Sequence, residues 1–357
     1  CGVLFSLCCI VFKQPLLALL GADTGTVAAT AAYMKWTVNL GAVPAILNVV
    51  LAYLVRAEGA ALHASIGTMS GCLLNILLDP VFILPWGLNM GAAGAGCATF
   101  LSNCVACGYF FVLIFIKRKH TYVCISPKKL GRNKAILLGV CGVGIPASIQ
   151  NLLNVTGMTI LNNFTAAYKA DAVAAMGITQ KVNMVPMYVA MGISQGIMPL
   201  ISYNYASGNY KRMKETLFFA LKAALGFLTG ASVIYFAGAG SIIRMFMDNE
   251  AVVAYGTQFL RGFCLGLPFL CMDFVAVGVF QATGMGREAL IFAIMRKIVL
   301  EIPAIYLLNY LFPLYGLAYA QLAAEMVLAV AAVAVLAKLF HRLERQSGGE
   351  NIQKAGK

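Results

Sequence analysis

The chain has 357 residues, 61% of them hydrophobic and 11% charged, with a mean hydropathy of +0.84. That composition excludes an ordinary water-soluble domain and points to a polytopic membrane protein. The net charge of +13 would suggest nucleic acid in a soluble chain, so where the charges fall matters more than their sum.

Crossing a bilayer takes about 20 apolar residues in a helix. Before Lys13 there are only twelve residues, too few to cross. Spans are then predicted near 30–55, 60–85, 89–116, 133–165, 172–205, 216–237, 252–282, 288–311 and 314–340. Alternating these spans puts twenty basic residues on one side, among them Arg56, Lys117, Lys128, Lys211, Arg287, Arg296, Lys297 and Lys338. The other side holds Lys13, Lys35, Lys169, Lys181, Arg244 and Arg261. The richer side is cytoplasmic by the positive-inside rule, which also places the C-terminus there. The charge thus orients the chain, and no nucleic acid is needed to explain it.

The eleven cysteines lie mostly within spans, where cysteine packs as a small apolar residue. Cys104 and Cys107 form a CxxC inside a membrane helix, without the context of a redox motif. His63, His120 and His341 form no ligand cluster, and no cofactor is expected.

The longest polar connection, residues 117–134, separates an N-terminal bundle (1–116) from a C-terminal six-helix bundle (135–341), followed by a polar tail (342–357). The two bundles share a weak repeat. Asp23 and Asp248, Gly41 and Gly266, Gly59 and Gly284, and Gly91 and Gly316 are each 225 positions apart at matching places in the hydropathy plan. Paired segments cross in the same direction, so the repeats are parallel, as in some secondary transporters. Residues 133–205 have no N-terminal counterpart. The expectation is therefore an all-α protein of two parallel-repeat bundles around a central cavity, six plus six helices in the parent and about ten here. On this reading the first two helices and part of the third are lacking.

Ionisable groups at membrane depth cost about 2.5–3.5 kcal/mol or more and usually mark a pathway, a relay or a local pair. Within spans these are Asp79, Asp273, Glu301 and Glu325. In "NILLDP" (75–80), Asn75 and Asp79 share a helix face, and Pro80 cannot bond the carbonyl of Ile76. A carboxylate, an amide oxygen and a freed carbonyl suit Na+, and the carboxylate alone suits a proton. The plainer reading is a proline kink with a local pair. Glu301 and Glu325 lie 226 positions after Asn75 and Thr99, which would put two carboxylates at the pseudo-symmetric place. Alternatively Lys297 neutralises Glu301 and Gln321 does the same for Glu325. Gln150 and Asn154 share a face that either contacts substrate or bonds a neighbouring helix. Gln180, Asn183 and Gln195 are expected at the cavity, and Lys181 to snorkel outward. Met176, Met184, Met187, Met191 and Met198 sit on the same helix, either as ordinary packing or as an adaptable lining.

Six motifs in order, "RAEG" (56–59), "NILLDP", "GAAGAGCAT" (91–99), "GIPASIQN" (144–151), "DAVAAMGI" (171–178) and "QGIMPLISYNYASGNYKR" (195–212), resemble the multidrug and toxic compound extrusion (MATE) transporters over essentially the whole chain. The resemblance implies a monomeric antiporter of the bacterial cytoplasmic membrane. It would export bulky, often cationic drugs in exchange for inward Na+ or H+. It further implies that Thr99 joins Asn75 and Asp79 at the ion site, with an Asp from the absent first helix. Asp273 would match a family carboxylate active in coupling or drug binding, or else belong to a buried pair. The Glu that some members carry near Asn154 is absent here. The closest rival is a lipid-linked saccharide flippase of the same superfamily. It would need several cations in its cavity to hold a diphosphate, where Lys181 is the only obvious one. An enzyme would need a cluster of His, Cys or acids at one interface, and none is visible.

Overall fold

The computed structural model describes residues 2–15, 27–118, 121–123 and 134–355; most of the 117–134 connection lies outside them. The chain forms two compact units, Cys1–Gly131 and Arg132–Lys357.

Unit 1 holds α1 (Gly2–Val11), α2 (Val27–Met34), α3 (Ala42–Ala57), α4 (Ala61–Ile83) and α5 (Gly91–Ile116). A π turn, Lys35–Leu40, joins α2 to α3, and the two helices meet at 50°. Gly41 permits that bend. A Cβ there would stand 2.5 Å from the Trp36 carbonyl oxygen and 2.6 Å from that of Thr37.

Unit 2 holds α6 (Lys134–Ala166), α7 (Ala170–Ala206), α8 (Tyr210–Arg244), α9 (Glu250–Ala282), α10 (Gly286–Ile294), α11 (Ile302–Leu311) and α12 (Gly316–Ala355). A second π turn, Met295–Glu301, welds α10 and α11 into one rod. α9 is the core element. Some 72% of its most apolar stretch is buried, against 6% for α6, because α9 is apolar on every face and packs on α7, α8 and α12.

Seven described helices are long and apolar enough to cross a membrane, and the bent α2–α3 pair makes an eighth. The ninth predicted span, 288–311, is the π-interrupted rod.

The repeat is written into the backbone. Gly59 has φ +82° and Gly284 φ +77°, and the non-glycine residues Asn89 and Leu314, also 225 apart, have φ of 49° and 68°. The turn hydrogen bonds match as well. Glu58, Gly59 and Ala60 donate to the carbonyls of Leu54, Arg56 and Val55, while Thr283, Gly284 and Met285 donate to those of Val279, Gln281 and Phe280. Both are helix stops that need a left-handed residue, which glycine supplies without a steric penalty. Hence α2–α3 corresponds to α9, α4 to the α10–α11 rod, and α5 to α12.

Candidate functional site

In unit 1, α4 carries Asn75 and Asp79 and packs along α5. The two helices run antiparallel: Gly67 abuts Phe110, Gly71 abuts Ser102 and Ala106, and Gly94 abuts the carbonyl of Phe82. This register places Thr99 level with residue 77, between Asn75 and Asp79. Asn75 donates from Nδ2 to Asp79 Oδ1 at 3.2 Å, which leaves the Asn75 amide oxygen uncommitted to that pair. Thr99 donates to the Ala95 carbonyl at 2.9 Å and keeps its oxygen lone pairs. Both Asn75 and Asp79 are half-buried, and none of the ion pairs described below includes Asp79.

Three polar groups missed in the sequence join this level. α2 and α3 run alongside α5, with Trp36 against Phe100 (ring centroids 5.9 Å apart) and Cys107 Sγ 3.0 Å from the Pro44 carbonyl. Asn39, in the π turn, therefore lies near the level of Ser102. Asn39 Oδ1, Asn48 Oδ1 and Ser102 Oγ are all buried without a hydrogen-bond partner, although Asn48 Nδ2 donates to Asn103 Oδ1 at 3.1 Å. Orphaned buried oxygens are costly, and a hard cation would satisfy them. Isolated asparagines within apolar spans give little signal, since most serve helix packing.

Unit 2 encloses a cavity of about 360 Å³ among α6, α7, α9, the second π turn and α12. Of the residues predicted to meet substrate, Asn154, Gln180, Asn183 and Glu301 line it, with Met184, Met187 and Met191. Gln150 does not; it accepts from Gln281 Nε2 at 3.2 Å, the interhelical bond of the plainer reading. Gln195 is half-buried and away from the cavity lining, and Lys181 is exposed.

Asp273 and Glu325 stand behind the cavity wall, and Arg296 holds both. Arg296 Nη1 is 3.0 Å from Asp273 Oδ2, and Nη2 is 2.8 Å from Glu325 Oε1. The guanidinium also lies 5.5 Å from the centre of the Phe274 ring. Lys297 Nζ grips both Glu301 oxygens at 2.7 and 2.6 Å. This overturns the placement of Arg296 and Lys297 on the inner face: the π turn buries both near the middle of the rod, where three acids surround them. It also overturns the pairing of Glu325 with Gln321, because Arg296 takes that place. The flanking turns keep the 225 register, so Glu301 and Glu325 stand one residue past the counterparts of Asn75 and Thr99. The network holds three acids and two bases, one negative charge in excess when all are ionised. Asp273 Oδ1 and Glu325 Oε2 are buried without a hydrogen-bond partner.

Helices arranged as two repeats, each with an ionisable group within an apolar span, fit a membrane transporter of the secondary type. The MatE family model matches residues 1–81 and 146–307. The multidrug export protein MepA of Staphylococcus saprophyticus is 34% identical over 343 residues, 96% of this chain and 74% of that protein. MepA of Staphylococcus haemolyticus is 34% identical over 345 residues, with the same coverage. Among solved structures, an outward-facing MATE multidrug resistance transporter superposes with a TM-score of 0.89 at 23% identity, over 96% of this chain and 76% of that one. A superfamily transporter from Pyrococcus furiosus, described as having a binding pocket of reversed polarity, gives the same values. The chain belongs to the MatE family of transporters.

Proposed function

We propose that the protein is a cation-coupled antiporter that exports organic drugs, often cationic, by alternating access. It would work as a monomer in the bacterial cytoplasmic membrane, with its C-terminus inside. The observation that carries the coupling is Asp79: a half-buried carboxylate within an apolar span, outside the described ion pairs, whose one described side-chain partner is the Asn75 amide, at the level of Thr99 on the neighbouring helix. Na+ would take the oxygens of Asp79, Asn75 and Thr99 as ligands, and H+ would take the carboxylate alone. An ion bound in one conformation only shifts the equilibrium toward it by its differential affinity, which is all that coupling requires.

The unit-2 cavity is the proposed substrate site. Its methionines give a polarisable wall that adapts to varied shapes. The excess negative charge behind and within that wall favours cationic groups, from a substrate or from a coupling ion at Asp273, Glu301 or Glu325. A saccharide-diphosphate flippase is the other reading, because Arg296 and Lys297 add two cations to the lining. Three acids outnumber those cations, which favours drug export over diphosphate binding.

Reconstituted vesicles loaded with ethidium, under inward Na+ and inward H+ gradients imposed one at a time, test this reading. Efflux is expected to accelerate under at least one gradient. No acceleration under either would refute antiport.

A further inference from the structure

The outer face of α8 carries cations where a lipid-facing helix has no routine use for them. Lys211, Lys214 and Lys222 line a groove of about 530 Å³ together with Glu215, Phe218 and Phe219. Positions 211, 214, 218 and 222 step by three or four, so a single stripe of the helix carries them. Three lysines against one glutamate leave two positive charges in excess. Lys222 is the deepest of the three, about 18 Å along the helix from Tyr210 at 1.5 Å per residue. It is exposed, and none of the described ion pairs includes it.

A second groove, of about 710 Å³, continues the stripe from Lys222, which lines both. It is apolar apart from Lys222 and Thr229, and it ends at Val233 and Ile234. Gly226 and Gly230 give it depth, since nothing lies within 4 Å of a Cβ added at either. Lys222 to Ile234 spans about 18 Å, close to the roughly 15 Å of one leaflet in a hydrocarbon core about 30 Å thick.

A cationic end joined to an apolar trough one leaflet long matches a phospholipid with an anionic head. We propose that α8 binds an anionic phospholipid, with its phosphate among Lys211, Lys214 and Lys222 and one acyl chain along Gly226 and Gly230. The phosphate gives Lys222 a counter-charge, and the lysine stem reaches it by lying along the helix toward the interface. Glycines four apart on an exposed face also suit contact with a second copy. Charge opposes that occupant. A two-fold axis along the membrane normal would set α8 parallel to its mate and bring Lys222 toward its own copy.

Native mass spectrometry of the purified full chain reads bound lipid and oligomeric state together. Equal amounts of dioleoyl phosphatidylglycerol and dioleoyl phosphatidylcholine are offered in competition. The first lipid retained on the monomer is expected to be phosphatidylglycerol by at least tenfold, from two excess charges worth about fivefold each. Lys222→Gln should lower that preference by about fivefold, and Lys222→Arg should keep it. Lys338→Gln, the same change at an exposed lysine of α12, should leave it unaltered. Gly226→Leu with Gly230→Leu fills the trough and should reduce phosphatidylglycerol binding with all three lysines in place. Four results would overturn the proposal. Equal retention of both lipids shows no recognition of the head, and equal losses from Lys222→Gln and Lys338→Gln show only diffuse surface charge. A preference erased by excess inorganic phosphate indicates a free-anion site, and a dimer that retains no lipid indicates a second copy on this face.

Discussion

Arg296 Nη2 lies 2.8 Å from Glu325 Oε1, with side-chain exposures of 5% and 0%. Asp273 completes the contact from α9 at 3.0 Å, so one guanidinium ties the π turn to the core helix and to α12. Removing one member of a buried charge set leaves the others uncompensated, at a typical cost of about 3–5 kcal/mol. Arg296→Met should therefore lower the thermal midpoint of the detergent-solubilised protein sharply. The triple change Arg296→Met, Asp273→Asn, Glu325→Gln should recover most of that loss. An unchanged midpoint in the single variant would show that the network contributes nothing to stability.

Gly157 sets the room available to Lys297 and Glu301. A Cβ at 3.1–3.2 Å from the lysine is tight, and a branched side chain there overpacks the contact at about 1–3 kcal/mol. Gly157→Val should lower stability and shift binding at the cavity, with Gly157→Ala milder in both. Thermal midpoints and ethidium affinities measured together check the order. Equal behaviour of all three proteins would contradict the close packing.

Gly59 and Gly284 occupy the same left-handed position in the two repeats. An L-residue there costs about 1–2 kcal/mol, so alanine at either position should lower the midpoint by a similar amount. The space beside both is open, with nothing within 4 Å of the added Cβ. A penalty at one position and none at the other would argue against equivalent turns.

Glu58 fastens the start of the connection between the units. Its carboxylate accepts from Thr121 Oγ1 at 2.8 Å, Tyr122 N at 2.6 Å and Val123 N at 3.2 Å. Lys117 Nζ, one helix turn earlier, lies 2.9 Å from His63 Nε2. Glu58→Ala should speed trypsin cleavage after Lys117 and Arg118, followed by gel mobility over time. Unchanged cleavage would show that Glu58 does not hold the segment.

Much of the fold was legible because a bilayer imposes a length and a polarity on each span, and glycines at 59 and 284 punctuate the same turn twice. Asp79 stood out because an acid beside a proline has no routine place at membrane depth. Arg296 and Lys297 were misplaced because alternating spans assigns every cation to the nearest face. A π turn instead swings adjacent residues inward, and no periodicity announces it. Spacing did carry part of it: Lys297 and Glu301, four apart inside an apolar run, are readable as a neutralising pair, and that pair forms. Gly157 was silent for the opposite reason, since its role is the side chain it lacks. Asn39 and Asn48 were passed over because neutral amides are common at helix contacts and only their burial without partners sets them apart.

The most direct measurement compares ethidium efflux from vesicles holding the unaltered protein or Asp79→Asn, under whichever inward cation gradient drives transport. The Asn form is expected to insert and to bind ethidium with unchanged affinity, yet to lose the gradient-dependent acceleration. Full gradient-driven efflux by Asp79→Asn would contradict a coupling ion held at Asp79.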